Sequence, residues 1–417
     1  MDKNKKVPEV RFKGFKLAWK KTPLCEYMTV SNEKNVSNTY DKYDIYSVSR
    51  EYGVVNQIEY QGKSFAGASL TGYGVVNTWD VVYTKSPLKL QPYGIIKTNK
   101  TQNGIVSALY GVFTPNCNVD ANFVQTYFEL DQRLNDYLRP LVNKGAKNTL
   151  LISDEDAIKG NVIFPQKDEQ EKIVKMFNTL DTLIRKLEQK LEKLRNIKQS
   201  LLKQMFINVN RGGYTPLIRF KGFEDEWSVI ALNDISERIT RKNTNNESSL
   251  PLTISAQYGL INQNDFFNSR ITSKDVSGYY LIKKGEFAYN KSTSDGYPVG
   301  AVKRLDKYEM GVLSTLYIIF ALKKEKLNSD FLSAFFETGK WHEHIYQCAS
   351  EGARNHGLLN ISSDDFLKLK ILAPKAKNEQ ALISEFVMLM DRLVNESTDK
   401  LSKFRSMKHS LLQKMFI

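Results

Sequence analysis

Ser200–Ile207 reads SLLKQMFI, and Ser410–Ile417 reads SLLQKMFI. A chain that carries at its midpoint the octet it carries again 210 positions on is expected to be two copies of one unit, and overlooking such a repeat would misassign the whole fold. Further matches follow in order. Pro8–Trp19 (PEVRFKGFKLAW) meets Pro216–Trp227 (PLIRFKGFEDEW) at a shift of about 208 residues. Tyr52–Gln57 meets Tyr258–Gln263 at about 206, with Gly72-Tyr73 on Gly278-Tyr279 and Lys85-Ser86 on Lys291-Ser292. Gly145–Asn148 then meets Gly352–Asn355, and Glu169-Gln170 and Asp181 meet Glu379-Gln380 and Asp391. So small a drift in the shift implies short loop insertions between two homologous halves.

Each half divides in two. About 160 residues of short apolar alternations, such as YDIYSVS and DVVYTKS, are punctuated by Gly, Pro, Asn and Ser, which predicts strands in an α+β globule. The run Leu313–Leu322 reads as one buried strand. After Pro165 and Pro374 neither Pro nor Gly occurs until the half ends, which predicts one long helix in each. The first helix carries an apolar seam at Ile173, Phe177, Leu180, Ile184, Leu187, Leu191, Leu194, Leu201 and Met205, broken at Lys198. The second carries Ile383, Val387, Met390, Val394, Leu401, Phe404, Leu411 and Met415, broken at Ser397 and at Lys408. Spacings of four and three are those of a coiled coil. Lys198 and Lys408 occupy matching places, where each either extends its ammonium past an apolar stem or fixes helix register or a partner contact. The predicted architecture is two homologous α+β globules separated by two long antiparallel coiled-coil helices, each about 60 Å long, with pseudo-twofold symmetry and the C-terminus returning to the first globule. The segments are 1–166, 167–207, 208–376 and 377–417.

Composition narrows the partner. The 417 residues carry 60 Lys and Arg against 46 Asp and Glu, a net charge of +14, with no basic tail to account for it. That excess predicts a polyanionic partner, with nucleic acid ahead of an acidic membrane surface. A twofold arrangement suits duplex DNA, whose half-sites lie about one helical turn apart. Three widely spaced cysteines suit a reducing compartment. The basic N-terminus has no apolar stretch behind it and no run is long enough to span a bilayer, so a cytoplasmic chain without a membrane partner is expected.

Phosphates are bound by Lys, Arg and small donors, and base edges by bidentate Arg, Asn or Gln. The polar segments that recur in both halves are the candidates for DNA contact. They are Ser49-Arg50 with Gln257, Lys85-Ser86 with Lys291, Ser292, Thr293 and Ser294, and Lys144, Lys147 and Asn148 with Arg354, Asn355 and His356. Tyr93 and Tyr297, beside glycines, are candidate exposed aromatics. The alternative for each is an ordinary solvated loop or a turn that shapes the domain. Trp341-His342-Glu343-His344, with Cys348 and His356, superficially resembles a metal site. Leu134 and Asp136 stand opposite the first two histidines, so the repeat argues for a solvated helix end and no metal.

The paired RF-x-GF…W openings (Arg11-Phe12, Gly14-Phe15, Trp19; Arg219-Phe220, Gly222-Phe223, Trp227), the Pro…Glu-Gln helix starts, the Leu180-Asp181 and Met390-Asp391 steps and the two Met-Phe-Ile ends together resemble the specificity (S) subunit of type I restriction–modification systems. Across the whole chain they recur in that family's order. The resemblance implies that the globules are target-recognition domains, each reading one half of a bipartite duplex target. It also implies two modification subunits that methylate adenine with S-adenosylmethionine, and restriction subunits that join that core. By the same resemblance this chain holds no cofactor and catalyses nothing. In keeping with this, the sequence has neither an Asn/Asp-Pro-Pro-aromatic tetrapeptide nor a phosphate-cradling G-x-x-x-x-G-K-[ST] loop. Gly72-Tyr73-Gly74 lacks the third glycine of a dinucleotide fingerprint, Asn77 standing there. The alternative role is that of a structural coiled-coil or regulatory DNA-binding protein with no methyltransferase partner.

Overall fold

The computed structural model describes residues 7–417 except 68, 145–149, 210–211, 256–257, 265–274, 295, 324–325 and 350–356, and for Lys144 the backbone alone. The chain forms two compact units. Unit 1 comprises Met1–Glu188 with Asp399–Ile417, and unit 2 comprises Gln189–Thr398. Each therefore takes a segment from both long helices.

Unit 1 begins with β1 (Lys20–Pro23), β2 (Met28–Val30), β3 (Ile45–Ser49), β4 (Gly53–Asn56) and α1 (Gln57–Gln61). Next come β5 (Gly74–Val76), β6 (Val81–Thr84), β7 (Ile96–Thr98), β8 (Gly104–Val106) and β9 (Tyr110–Pro115). Then follow α2 (Ala121–Tyr127), α3 (Asp131–Leu138), β10 (Asn143–Lys144), β11 (Leu150–Leu151), α4 (Asp154–Ala157) and β12 (Asn161–Phe164). The antiparallel sheet β2-β9-β6-β7 lies between two apolar layers. Side chains alternate across a strand, so Val82 and Val112 face Tyr46, Val54, Val76 and Val106 of the mixed sheet β4-β3-β8-β5. Val81, Tyr83 and Phe113 face the helices, where Phe123, Tyr127 and Phe164 join them.

The first long helix, α5, spans Lys167–Met205. In unit 2 much of the series recurs among the described residues. It runs β13 (Ser228–Ala231), α6 (Leu232–Ile235), β14 (Ser236–Ile239), β15 (Leu252–Ser255), β16 (Gly259–Asn262), β17 (Tyr280–Lys283), β18 (Phe287–Asn290), β19 (Ala301–Arg304), β20 (Met310–Leu313) and β21 (Ile318–Leu322). The series ends with α7 (Ser329–Phe336), α8 (His342–Cys348), α9 (Ser363–Leu367), β22 (Lys370–Ala373) and the second long helix, α10 (Lys377–Lys414). Sheet order β14-β21-β18-β19 reproduces β2-β9-β6-β7. One sequence expectation is corrected here: Leu313–Leu322 is not one strand. Ser314 opens a turn, its Oγ accepting from the Leu316 amide and its carbonyl from the Tyr317 amide, which splits the run into β20 and β21 and leaves Leu316 exposed.

Both long helices are pinned to the globules by the same residues. Arg11 donates to Glu169 through Nε (2.7 Å) and Nη2 (2.8 Å), and Arg219 to Glu379 at 2.7 and 2.9 Å. Both carboxylates are buried, so each forked pair compensates a charge that burial alone would make costly. The neighbouring glutamines bridge helix start and globule. Gln170 Nε2 donates to Pro165 O at 2.9 Å while its Oε1 accepts from the Asp120 amide, and Asp120 caps α2. Gln380 does the same with Pro374 O and with Asn328, the cap of α7.

The repeated octets are the other anchor. Phe416 lies 6.2 Å, edge to face, from Trp19, and Phe206 lies 6.3 Å from Trp227. Backbone bonds join Val10 N to Lys414 O and Ile218 N to Gln204 O at the helix ends. At these ends the seam widens by one residue: Leu202, Phe206, Leu412 and Phe416 are buried, whereas Leu201 and Leu411 are half-buried. Upstream, Ile173, Phe177, Leu180, Leu191, Ile383, Val387, Met390 and Leu401 are buried, and Ile184, Leu187, Leu194, Val394 and Phe404 half-buried. The break at Ser397 is buried as well.

The lysines that interrupt the seams close ion-pair networks. Lys408 reaches Asp181 on α5 (2.6 Å) and Glu129 just after α2 (2.5 Å). In the mirrored arrangement, Lys198 on α5 reaches Asp391 on α10 (2.5 Å) and Glu337 just after α7 (3.7 Å). Glu337 is also paired with Lys303 of β19. Burial pushes Glu337 up, but Lys303 and Lys198 outweigh it and hold the carboxyl below the usual range. Lys408 is likewise lowered by burial and raised further by Glu129 and Asp181, for a net rise. Within unit 1, the pairs Lys408–Asp181 and Arg405–Glu188 step in opposite directions along the two helices, so the segments run antiparallel.

Candidate nucleic-acid interface

The described ones among the sequence-chosen positions fall on strand ends and turns, where a rigid sheet can present polar side chains. Ser49 ends β3, and Arg50 occupies the β3–β4 turn, ion-paired with Asp131 at the start of α3. Lys85 follows β6 and pairs with Asp154 at 2.9 Å; Ser86 beside it is exposed. Tyr93 is not exposed, contrary to its reading as a surface aromatic. It packs half-buried against the core, and its carbonyl accepts from the Tyr83 hydroxyl at 2.7 Å. The adjoining Gly94 explains the tight turn: at φ +92° a Cβ would lie 1.9 Å from Thr84 O, so only glycine fits. Gly300 repeats this beside Tyr289 and Asn290. Lys144 ends β10, and Lys147 and Asn148 lie outside the described residues.

In unit 2 the structure brings Lys291–Ser294 onto the segment Gly357–Leu359. Thr293 donates from its amide (2.6 Å) and Oγ1 (3.0 Å) to Gly357 O, and Leu359 N donates to Lys291 O at 3.0 Å. Ser292 bridges to Leu358. Lys291 is half-buried, which lowers its ammonium's pKa, and its Nζ reaches Ile361 O at 3.4 Å. Ser294 and Tyr297 close a turn with Tyr297 at its surface. Gln257, Arg354, Asn355 and His356 lie outside the described residues. The metal-like stretch forms α8. Trp341 and Ile345 are buried, so this helix is not a solvated end; His344 Nε2 contacts Asp365 O at 2.8 Å. Among the described residues no group of three or more His, Cys, Asp or Glu could hold a metal ion, and no helix is long and apolar enough to cross a membrane.

Sequence reasoning missed a cleft of about 1120 Å³ in unit 1 between the sheet turns and the helix segments. Arg50, Tyr52, Trp79 and Lys100 line its sheet side, and Arg185, Arg405 and His409 its helix side. Lys97, which lies deeper, is 8% exposed, and burial lowers its ammonium's pKa. Glu51, Glu129, Asp131, Asp181 and Glu188 line the cleft too, and Arg50, Arg405 and Lys408 are paired with carboxylates among them. What the cleft adds for a nucleic acid is therefore exposed rings beside Lys100 and Arg185 rather than a uniformly basic wall. The signal for Trp79 lay in the repeat, where the shift of about 206 sets it opposite Gly285.

No family model matches the chain. It is similar over 99% of its length to 99% of the S subunit of a type I restriction-modification system from M. genitalium, with a TM-score of 0.58 and 13% identity. It is also similar, over 96% of its length, to 99% of a chain from a structure addressing complex assembly and conformational transition of a type I R-M system, with a TM-score of 0.51 and 12% identity. Two mixed helix-and-sheet units, each pinned to two long helices by the same residues, give this chain the fold of the type I restriction-modification S subunits.

Proposed function

We propose that this chain is the DNA-specificity subunit of a type I restriction–modification complex, reading a bipartite target with one half-site per unit. The observation that carries the reading is the contrast within the repeat. Arg11/Arg219, Glu169/Glu379, Lys408/Lys198 and the octets are held in common, while outward-facing positions such as Trp79, opposite Gly285, differ. A scaffold kept constant beneath divergent surfaces suits two readers of different sequences. The net charge of +14 supports a phosphate-backbone partner.

In this reading the long helices are the attachment surface for two modification subunits, which hold S-adenosylmethionine and methylate adenine, and restriction subunits join that core. The chain itself binds and positions, without a catalytic step, and works in the cytoplasm. Co-expression with a cognate modification subunit, followed by base-resolution mapping of methyladenine in host DNA, tests the proposal. A two-part motif is expected. Exchanging residues 8–165 for the equivalent domain of another such protein should change one half and leave the other. Methylation with no sequence preference, or both halves changing together, would overturn the assignment. A four-residue insertion before Leu194 should alter the half-site spacing, and an unchanged spacer would remove the helices from that role.

A further inference from the structure

Among the described residues three non-glycine positions have positive φ: Asn38 (+51°), Asn246 (+52°) and Trp79 (+77°). The asparagines occupy matching places in the two units and belong to a residue type that tolerates this conformation. Trp79 does not. It sits in the turn Asn77–Asp80 between β5 and β6, closed by Asp80 N on Asn77 O (3.0 Å) and Asn77 N on Asp80 Oδ2 (2.8 Å). The surroundings hold it there. Its amide donates to Asn99 O at 2.7 Å, and Thr78 bonds Thr101 O and Asn103.

Unit 2 builds the same turn, Lys283–Glu286, with the same pair of bonds, and uses Gly285 at φ +85° with open space where a Cβ would be. The backbone thus needs glycine, and unit 1 places its largest side chain there instead. That indole is not a core residue, being 51% exposed. A bulky residue in a left-handed turn, exposed, and replaced by glycine in the sister unit, is a feature retained for what it touches.

Trp79 borders the cleft lined by Arg50, Lys97 and Lys100, near Tyr52, which is 65% exposed and 5.6 Å from Tyr60. We propose that Trp79 is a DNA-contacting residue of unit 1, its indole packing on a nucleotide of the half-site that unit 1 reads. The proposal rests on the DNA-reading role above and adds an aromatic contact that unit 2 lacks at the equivalent turn.

The test compares wild-type, Trp79→Gly and Trp79→Phe chains, each assembled with modification subunits, on a duplex carrying the mapped target and on single-base variants of it. Trp79→Gly is expected to weaken binding by about 5- to 150-fold and to relax preference only in the half-site of unit 1. Trp79→Phe should restore most of the affinity. The melting temperature of Trp79→Gly should equal or exceed that of wild type, which separates a lost contact from misfolding. Unchanged affinity and preference in Trp79→Gly would overturn the proposal while leaving the DNA-reading role intact. Loss of the modification subunits from the Trp79→Gly complex would overturn it in favour of a protein contact. A wild-type complex with no preferred target would overturn both.

Discussion

At position 133 unit 1 has an arginine where unit 2 has Trp341, and at 79 it has a tryptophan where unit 2 has Gly285. The first exchange lies inside the units and gives each residue its own set of partners. Arg133 is stacked over Tyr127 and Phe416 and donates to Leu412 O at 2.8 Å, tying down the end of α10, while Trp341 fills the aromatic core of unit 2 and donates to Phe336 O. The second preserves a backbone turn and changes what it shows to solvent. The interior exchange is matched by new contacts, whereas the exchange at the turn is not. That distinction separates residues that hold the fold from residues free to specify a ligand.

The largest expected effects come from breaking what the units share. Arg219→Leu leaves Glu379 buried with only the Trp227 Nε1 donor at 3.3 Å, and should cost about 3–5 kcal/mol. Arg11→Leu should cost about 1 kcal/mol more, because Trp19 Nε1 has no partner and offers Glu169 none. Denaturant unfolding with hydrogen exchange measures this; equal costs would remove the asymmetry. Phe416→Ala should destabilise by about 3 kcal/mol, with loss of exchange protection in unit 1 rather than unit 2, since its ring sits among Trp19, Phe123 and Tyr127.

Smaller effects sharpen the comparison. Lys198→Met removes the partner of Asp391 in unit 2 and should cost about 1–2 kcal/mol, while Lys408→Met should do the same in unit 1. Gly285→Ala puts a Cβ on a left-handed backbone and should cost about 1–2 kcal/mol, with Trp79→Gly shifting unit 1 the other way. The least effect concerns pH. Glu337 has a depressed pKa, so its contribution is present above its unfolded value and fades as pH falls through the folded one. Glu337→Gln should therefore flatten the acid limb of stability in unit 2; an unaltered limb would show that the network adds nothing there.

The repeat, the two helices and their seams could be read from letters alone, because heptad spacing and duplicated words are local signals. Arg11, Glu169, Lys198 and Asp391 were each visible as repeated letters, but their pairings join residues 158 and 193 positions apart and no local pattern encodes them. The seam reading missed Phe206 and Phe416 because at the octets each helix turns a wider face, packing on the other helix and on an aromatic core as well. Loop assignments fared worst. Tyr93 looked like a surface ring beside a glycine, yet the glycine serves a close approach of backbone to backbone and the ring packs inward. The cleft depends on which turns converge, which composition does not specify.

Unit 1 takes its last core residues, Leu412, Met415 and Phe416, from beyond the whole of unit 2. During synthesis the globule that leaves the ribosome first therefore cannot finish its core until unit 2 has been made, a wait of roughly 10–40 s at 5–20 residues per second. Unit 2 draws only on Gln189–Thr398 and closes as soon as it emerges. The usual order of completion is inverted: unit 2 matures first, and unit 1 stays open, with Trp19 and Phe123 short of their final neighbour, until the end of α10 arrives to seal it.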